Sequence, residues 1–240
     1  MKTRFSAVVF PIVFLVAPDL IAQTVEIWQI QGNGMSSPYQ DQRVTTTGNV
    51  VTAVGADLFF IQSTVDRADG DPWTSDGIVV QLGSTPSVSV GDVVDVAGTV
   101  RESFGQTEIS GGPTVAFTSS GHRRPPAVML DRNTPTPLQP WPETELERFE
   151  GMWVEVRSGI ISAPSDGYGE ACVSAGGDRL FREPGILWPG LPGLAVWDGN
   201  PEGFELDPYG LGGDGFNVAA GTYFRAEGAL AFAYGAYQLW

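Results

Sequence analysis

The chain reads as an all-β protein made of two related small barrels in tandem, and three features predict this. Residues 91–109 (GDVVDVAGTVRESFGQTEI) return without a gap at 221–239 (GTYFRAEGALAFAYGAYQL), with Gly91, Gly98 and Gly105 matched by Gly221, Gly228 and Gly235. Apolar positions correspond as well: Val94 with Phe224, Val100 with Leu230, Phe104 with Tyr234 and Ile109 with Leu239. A second correspondence, at an offset of 110, runs from Val44/Val154 to Val50/Ile160. A unit whose beginning and end both recur is a structural module used twice. Finally, the 240 residues include 31 Gly and 18 Pro, a composition of turns rather than long helices, and the length allows two domains of roughly 100 residues.

The first module spans residues 23–117. After the apolar start Ile27–Ile30, the stretch GNGMSSPY (32–39) is a turn-rich connection. Val44–Val54 is rich in β-branched residues and is interrupted by Gly48, where a long barrel strand must bend or bulge. Leu58–Gln62 and Ile78–Leu82 are the next strands, separated by the polar loop DRADGDPWTSDG (66–77). Val93–Val100 and Gln106–Ile109 complete the set through a Phe104-Gly105 turn. Five short strands with a long, bent first one form the pattern of an OB-fold, a small closed barrel.

Residues 118–145 hold six prolines and predict an extended linker, with Thr144–Phe149 as one helical turn. The second module covers 146–240: a first strand at 153–162, another at 170–176, the repeated pair at 221–239, and a long insertion at 182–215. An irregular stretch of that length is functional or forms an interface.

The N-terminus has Lys2 and Arg4, then the apolar run Ala7–Ala17 and a small-residue end at Ala22, which predicts a signal peptide over 1–22 and a secreted or periplasmic product. The apolar run is shorter than the about 20 residues that span a bilayer, so no membrane association is expected after cleavage. The exported chain would contain no lysine and 11 basic against 27 acidic side chains, a charge of −16. Such a surface repels phosphate, which excludes strong unaided binding to nucleic acid. Cys172 is the single cysteine, so no intrachain disulfide forms.

The runs IQGNG-x-x-SPY (30–39), VTTTGNVVTAV (44–54), DGDP-x-TSDGI (69–78), VSVGD-VVDVAGTV-x-E-x-FGQTEI (88–109), LERFEGMWVEV (146–156), SAGGDRLF (174–181) and FAYGAYQLW (232–240) together resemble the OB-fold region of secreted bacterial nucleases. In that family the region precedes a catalytic domain of the endonuclease/exonuclease/phosphatase superfamily. The resemblance covers almost all of the exported chain. It implies a noncatalytic module that binds or positions nucleic acid, for a catalytic domain in cis or in trans. It also implies that the nuclease active site itself is absent, since hydrolysis there needs a metal and two histidines while this chain has only His122. The chain is then an accessory protein or the front part of an extracellular endonuclease. The competing class is a structural or protein-interaction module that docks on a partner domain.

For a single strand of DNA or RNA, the candidate contacts are Phe59 and Phe60, which alternate so that one faces the core and the other the outside, with Trp73, Arg67 and Arg101 around them. Asp66, Asp69, Asp71 and Asp76 crowd the same loop. Hard oxygen ligands within a dozen residues are what calcium or magnesium takes, although the spacing is not that of an EF-hand, and the alternative is that they shape turns. Arg123 and Arg124 are an adjacent basic pair beside His122, read as a solvated linker pair. Trp188, Trp197, Phe204 and Tyr209 in the insertion, with Trp141 and Trp153, are candidates for a sugar or protein contact, against the plainer reading that they close the second barrel as a small core.

Overall fold

A computed structural model describes residues 22–134, 145–176, 203–215 and 217–240. Residues 1–21 of the predicted signal peptide, 135–144 of the predicted linker, the 177–202 part of the second module, with Trp141, Trp188 and Trp197, and residue 216 lie outside the described residues.

Two barrels follow one another. The first is built from β1 (Gln23–Thr24), the short helix α1 (Ile27–Gln31), β2 (Arg43–Val54), β3 (Leu58–Gln62), β4 (Gly77–Gln81), β5 (Val93–Ser103) and β6 (Gln106–Ser119). The second contains β7 (Val128–Leu130), a helical turn ending at Glu147–Phe149, β8 (Trp153–Ile161), β9 (Ala171–Ala175), β10 (Gly203–Leu206), β11 (Tyr223–Ala233) and β12 (Ala236–Leu239). In each, the first barrel strand pairs antiparallel with the second and the fourth, and the third pairs parallel with the fifth, so the sheet closes on itself. The all-β, two-barrel class predicted from the sequence is the observed one.

The repeat runs deeper than its glycines. Both barrels open with a strand laid parallel to the first barrel strand, Gln23 on Val44 in one and Val128 on Val154 in the other, followed by a helical turn. β7 therefore belongs to the second sheet, where the sequence suggested linker. Its proline-flanked residues pair because β8 offers an otherwise open edge. The two repeated hairpins turn on Phe104-Gly105 and Tyr234-Gly235, all four residues at positive φ, as a two-residue hairpin requires. Gly48, at φ 66, sits in a register shift of β2 between Thr46 and Asn49, which bends the long strand around the barrel.

Each barrel has its own apolar core. Val51, Phe59, Ile61, Ile78, Val80, Val94, Val100 and Ile109 fill the first, with Ile27 and Ile30 of α1 closing one end. Val154, Val156, Val173, Phe204, Leu206, Leu230 and Leu239 fill the second. A third cluster, between the barrels, joins Ala53, Phe60 and Val79 of the first to Trp153, Ala229 and Ala231 of the second, with Trp240 against it. This joint fixes one barrel on the other.

Candidate binding surface

The joint is made by an outward strand face of the first barrel, the one the OB-fold expectation assigns to a ligand. Ala53, Phe60 and Val79 lie side by side across β2, β3 and β4. The neighbouring row, with Ile61 and Ile78, points into the first core. Phe59 and Phe60 do face opposite ways, but both rings are fully buried. This corrects the expectation that one of them is available for base stacking: the face that alternation turns outward is covered by the second barrel. Phe60 meets Trp240 edge-to-face at 5.9 Å between ring centroids. Burial of Phe60 and of Trp153 stabilises the joint by about 1.5–3 kcal/mol each.

Polar contacts set its register. The Trp153 N–H donates to Gln62 Oε1 at 3.0 Å, and Ser75 Oγ donates to the Glu150 carbonyl at 2.6 Å. Arg124 lies over the Trp153 ring at 4.1 Å while its Nε donates to the Thr52 carbonyl at 2.8 Å, so this arginine of the predicted linker pair clamps the joint instead of being solvated. The closest approach is glycine on glycine. A Cβ on Gly77 would lie 2.3 Å from the Gly151 carbonyl carbon, so neither position accepts a side chain while the barrels are docked.

Three carboxyl groups close the same joint. Glu150 is fully buried, its Oε1 accepting from the Thr107 N–H at 2.8 Å across the barrels, while its Oε2 has no hydrogen-bond partner among the described residues. Burial first, and then the nearby Glu147 and Glu102, push its carboxyl well above the ordinary range; the Thr107 N–H and the Gln31 side chain offset part of this. Glu147 accepts from the Tyr237 hydroxyl at 2.6 Å and is pushed up to about 7, by burial and then by Glu102. Glu102 accepts from the Ser37 N–H at 2.7 Å and from Thr107 Oγ1 at 2.9 Å.

The loop between β3 and β4 holds the other predicted residues. Asp69 Oδ1 accepts from the Asp71 N–H and from Thr74 Oγ1, and Asp71 Oδ1 accepts from the Trp73 N–H, so these side chains shape consecutive turns. The Thr64 hydrogen bond leads in holding Asp66 below its ordinary range. Asp76 is half-buried and raised to about 6, by desolvation and then by Asp69 and Glu26. Among the described residues no three His, Cys, Asp or Glu side chains gather as metal ligands, so the four aspartates do not converge on a calcium or magnesium site. Trp73 is half-exposed, with the Arg148 guanidinium 5.3 Å from its ring.

The two candidate strand-contacting arginines, Arg67 and Arg101, are engaged. Arg67 pairs with Glu26 and donates to Asn49 Oδ1, and Arg101 pairs with Asp41 at 2.7 Å. Arg148 pairs with Glu145 at 2.9 Å, and Arg157 and Arg225 share Glu155 at 3.3 and 2.9 Å.

The second barrel's equivalent face is polar. Cys172 on β9 stands beside Glu205 on β10, which stands beside Gln238 on β12. Gln238 donates to Glu205 and accepts from the Trp240 indole, both at 2.9 Å. Phe204, a predicted contact residue, points into the second core, and half-exposed Tyr209 has the backbone of Gly169 and Gly215 against its ring. Close by, desolvation and then Glu205, Asp207 and Asp166 raise the Glu170 carboxyl. Glu170, Glu205 and Asp207 thus give this part of the second barrel a carboxylate-rich surface.

The sequence reading missed the joint and its carboxyl groups. The glycines Gly77, which opens β4, and Gly151, two residues before β8, were the available signal. Fold and surface define the described residues as a tandem of two small β-barrels packed on one another. Compared with protein-family models, curated proteins and solved structures, it finds no match to any of the three.

Proposed function

We propose that this chain is an exported, noncatalytic docking module that holds a partner domain, the class that competes with the nucleic-acid-positioning role implied by its resemblance to the accessory region of secreted nucleases, and that it does not itself grip nucleic acid. The observation that carries this reading is the burial of the Ala53–Phe60–Val79 strand face beneath Trp153 and Trp240. The strand connectivity supports reading both barrels as OB-folds, and such a barrel stacks bases on this face. Here it serves to fix two barrels as one body, while the second barrel's equivalent face carries Glu205 among further acidic groups. A rigid, acidic body with paired arginines suits a protein partner better than a phosphate chain. Calorimetric titration of the full chain with a separately expressed catalytic domain of that nuclease superfamily tests the proposal. A one-to-one complex that forms without nucleic acid is expected. No complex with the domain, together with saturable binding of single-stranded DNA, would overturn the reading.

A further inference from the structure

The joint between the barrels is closed in part by carboxyl groups that no cation balances. Glu150 follows the helical turn Glu147–Phe149 of the second barrel, and its Oε1 accepts from the Thr107 N–H of β6, in the first barrel, at 2.8 Å. Glu102 of β5 takes the other donor of the same threonine, Thr107 Oγ1, at 2.9 Å. One residue of the first barrel is thus held between a carboxyl group of its own barrel and one of the other. The Oε2 atoms of Glu150 and Glu102 are both buried and have no hydrogen-bond partner among the described residues. Glu147 also bears on Glu102 across the joint.

The surrounding elements supply no compensating charge. Toward Glu150 stand Glu147 on its own turn, Glu102 on β5, the Thr107 N–H on β6 and the Gln31 side chain of α1, which also donates to the Gly77 carbonyl at 2.7 Å. Toward Glu147 stand Glu102 and the Tyr237 hydroxyl of β12. Arg148, on the same turn, pairs with Glu145 and lies over the Phe149 ring at 4.5 Å. On β5 Arg101 pairs with Asp41, and Glu108 of β6 feels Arg101 and Glu102. Asp76, on the loop between β3 and β4, faces Asp69 and Glu26. A buried carboxylate without a paired cation is costly, and like charges on two barrels push the barrels apart.

We propose that these carboxyl groups make the joint a proton-operated latch: with Glu147 and Glu150 protonated the barrels stay closed, and when the protons leave the joint opens and uncovers Ala53, Phe60, Val79 and Trp153. The latch is a property of the joint and does not depend on the docking role. Separation relieves the repulsion without unfolding either barrel, because Glu102 and Thr107 belong to one barrel and Glu147 and Glu150 to the other. Its direction follows from the environment of the groups. Burial lifts both carboxyl groups, Glu147 to about 7, above the ordinary 4.5 that an opened joint restores. The stabilisation is therefore complete below about 4.5 and is lost as pH rises through about 7.

The test is amide hydrogen exchange of the full chain at pH 5 and pH 8, with each rate compared to that of an unstructured chain at the same pH. The Thr107 and Trp153 N–H groups donate across the joint, to Glu150 and Gln62, whereas those of Val51 and Ile161 donate within their own barrels. Protection of the two joint amides should fall at least about tenfold from pH 5 to pH 8. Glu147 alone, ionising near 4.5 in the open joint and near 7 in the closed one, gives about seventyfold, and sharing of charge with Glu150 reduces this. Val51 and Ile161 should stay at least about tenfold better protected than the joint amides at pH 8. Glu147→Gln should shrink the fall at least about fivefold, and Asp214→Asn, at an exposed carboxylate, should leave it as it is. Joint amides whose protection holds or rises toward pH 8 would overturn the latch, as would a fall that Glu147→Gln leaves intact. Equal exchange at all four amides, the sign of whole-chain unfolding, would also overturn it. So would an Asp214→Asn variant that suppresses the fall as far as Glu147→Gln does, the sign of overall charge.

Discussion

Glu147→Gln should stabilise the protein above neutral pH and leave it nearly unchanged in mild acid. The Glu147 carboxyl is largely buried, faces Glu102 and Glu150, and is raised from its ordinary 4.5 to about 7. Unfolded, it ionises near 4.5, so between these values folding requires it to take up a proton. The stability it contributes is complete below about 4.5 and is lost as pH rises through about 7. The displacement corresponds to about 3 kcal/mol by linkage, and sharing of charge with Glu150 reduces the expected single-site gain to about 2 kcal/mol. Glutamine keeps an oxygen for the Tyr237 hydroxyl and cannot ionise. Urea denaturation at pH 5 and pH 8 should show wild type less stable at pH 8, with E147Q recovering about 2 kcal/mol there, equivalent to roughly 4–8 °C in Tm for a chain of this size. A wild type that gains stability from pH 5 to pH 8, or a variant whose advantage is equal at both, would refute the reasoning.

Other outcomes follow from the same contacts. Gly77→Ala forces a methyl group onto the Gly151 backbone and should cost at least about 2 kcal/mol, read as a lowered urea midpoint. Trp153→Ala removes the central ring of the joint and the platform for Arg124, and should cost about 3–5 kcal/mol in the same assay while increasing the radius of gyration in scattering. Phe104→Asn and Tyr234→Asn relieve aromatic residues held at φ 54 and 53 on exposed turns, and each should raise stability by about 0.5–1 kcal/mol in thermal melts.

The barrels were legible because their signals are local. β-branched runs, the Gly48 bulge and the Phe-Gly and Tyr-Gly turns are each set by a few neighbouring residues, and the repeat supplied two independent copies. Phe59 and Phe60 show where local reasoning stopped. Alternation correctly placed them on opposite faces, but what covers the outer face is Trp153, 93 residues further along the chain. The aspartates of the 66–76 loop were read as ligands or as turn formers, and the hydrogen bonds of Asp69 and Asp71 favour the second reading. Glu150 left no mark in the sequence, since nothing around it distinguishes a buried carboxylate from a solvated one. β7 was hidden because proline-rich flanks suggest linker and a three-residue parallel strand has no period of its own.

The central claim is that the aromatic strand face is sealed inside the joint and that this module does not hold nucleic acid. Fluorescence anisotropy of a labelled single-stranded oligonucleotide, titrated with the full chain at low salt and again at physiological salt, tests it most directly. The account predicts no saturable change up to about 100 µM protein, the weak end of ordinary nonspecific affinity. Saturable binding tighter than about 10 µM that weakens steeply with salt would contradict it.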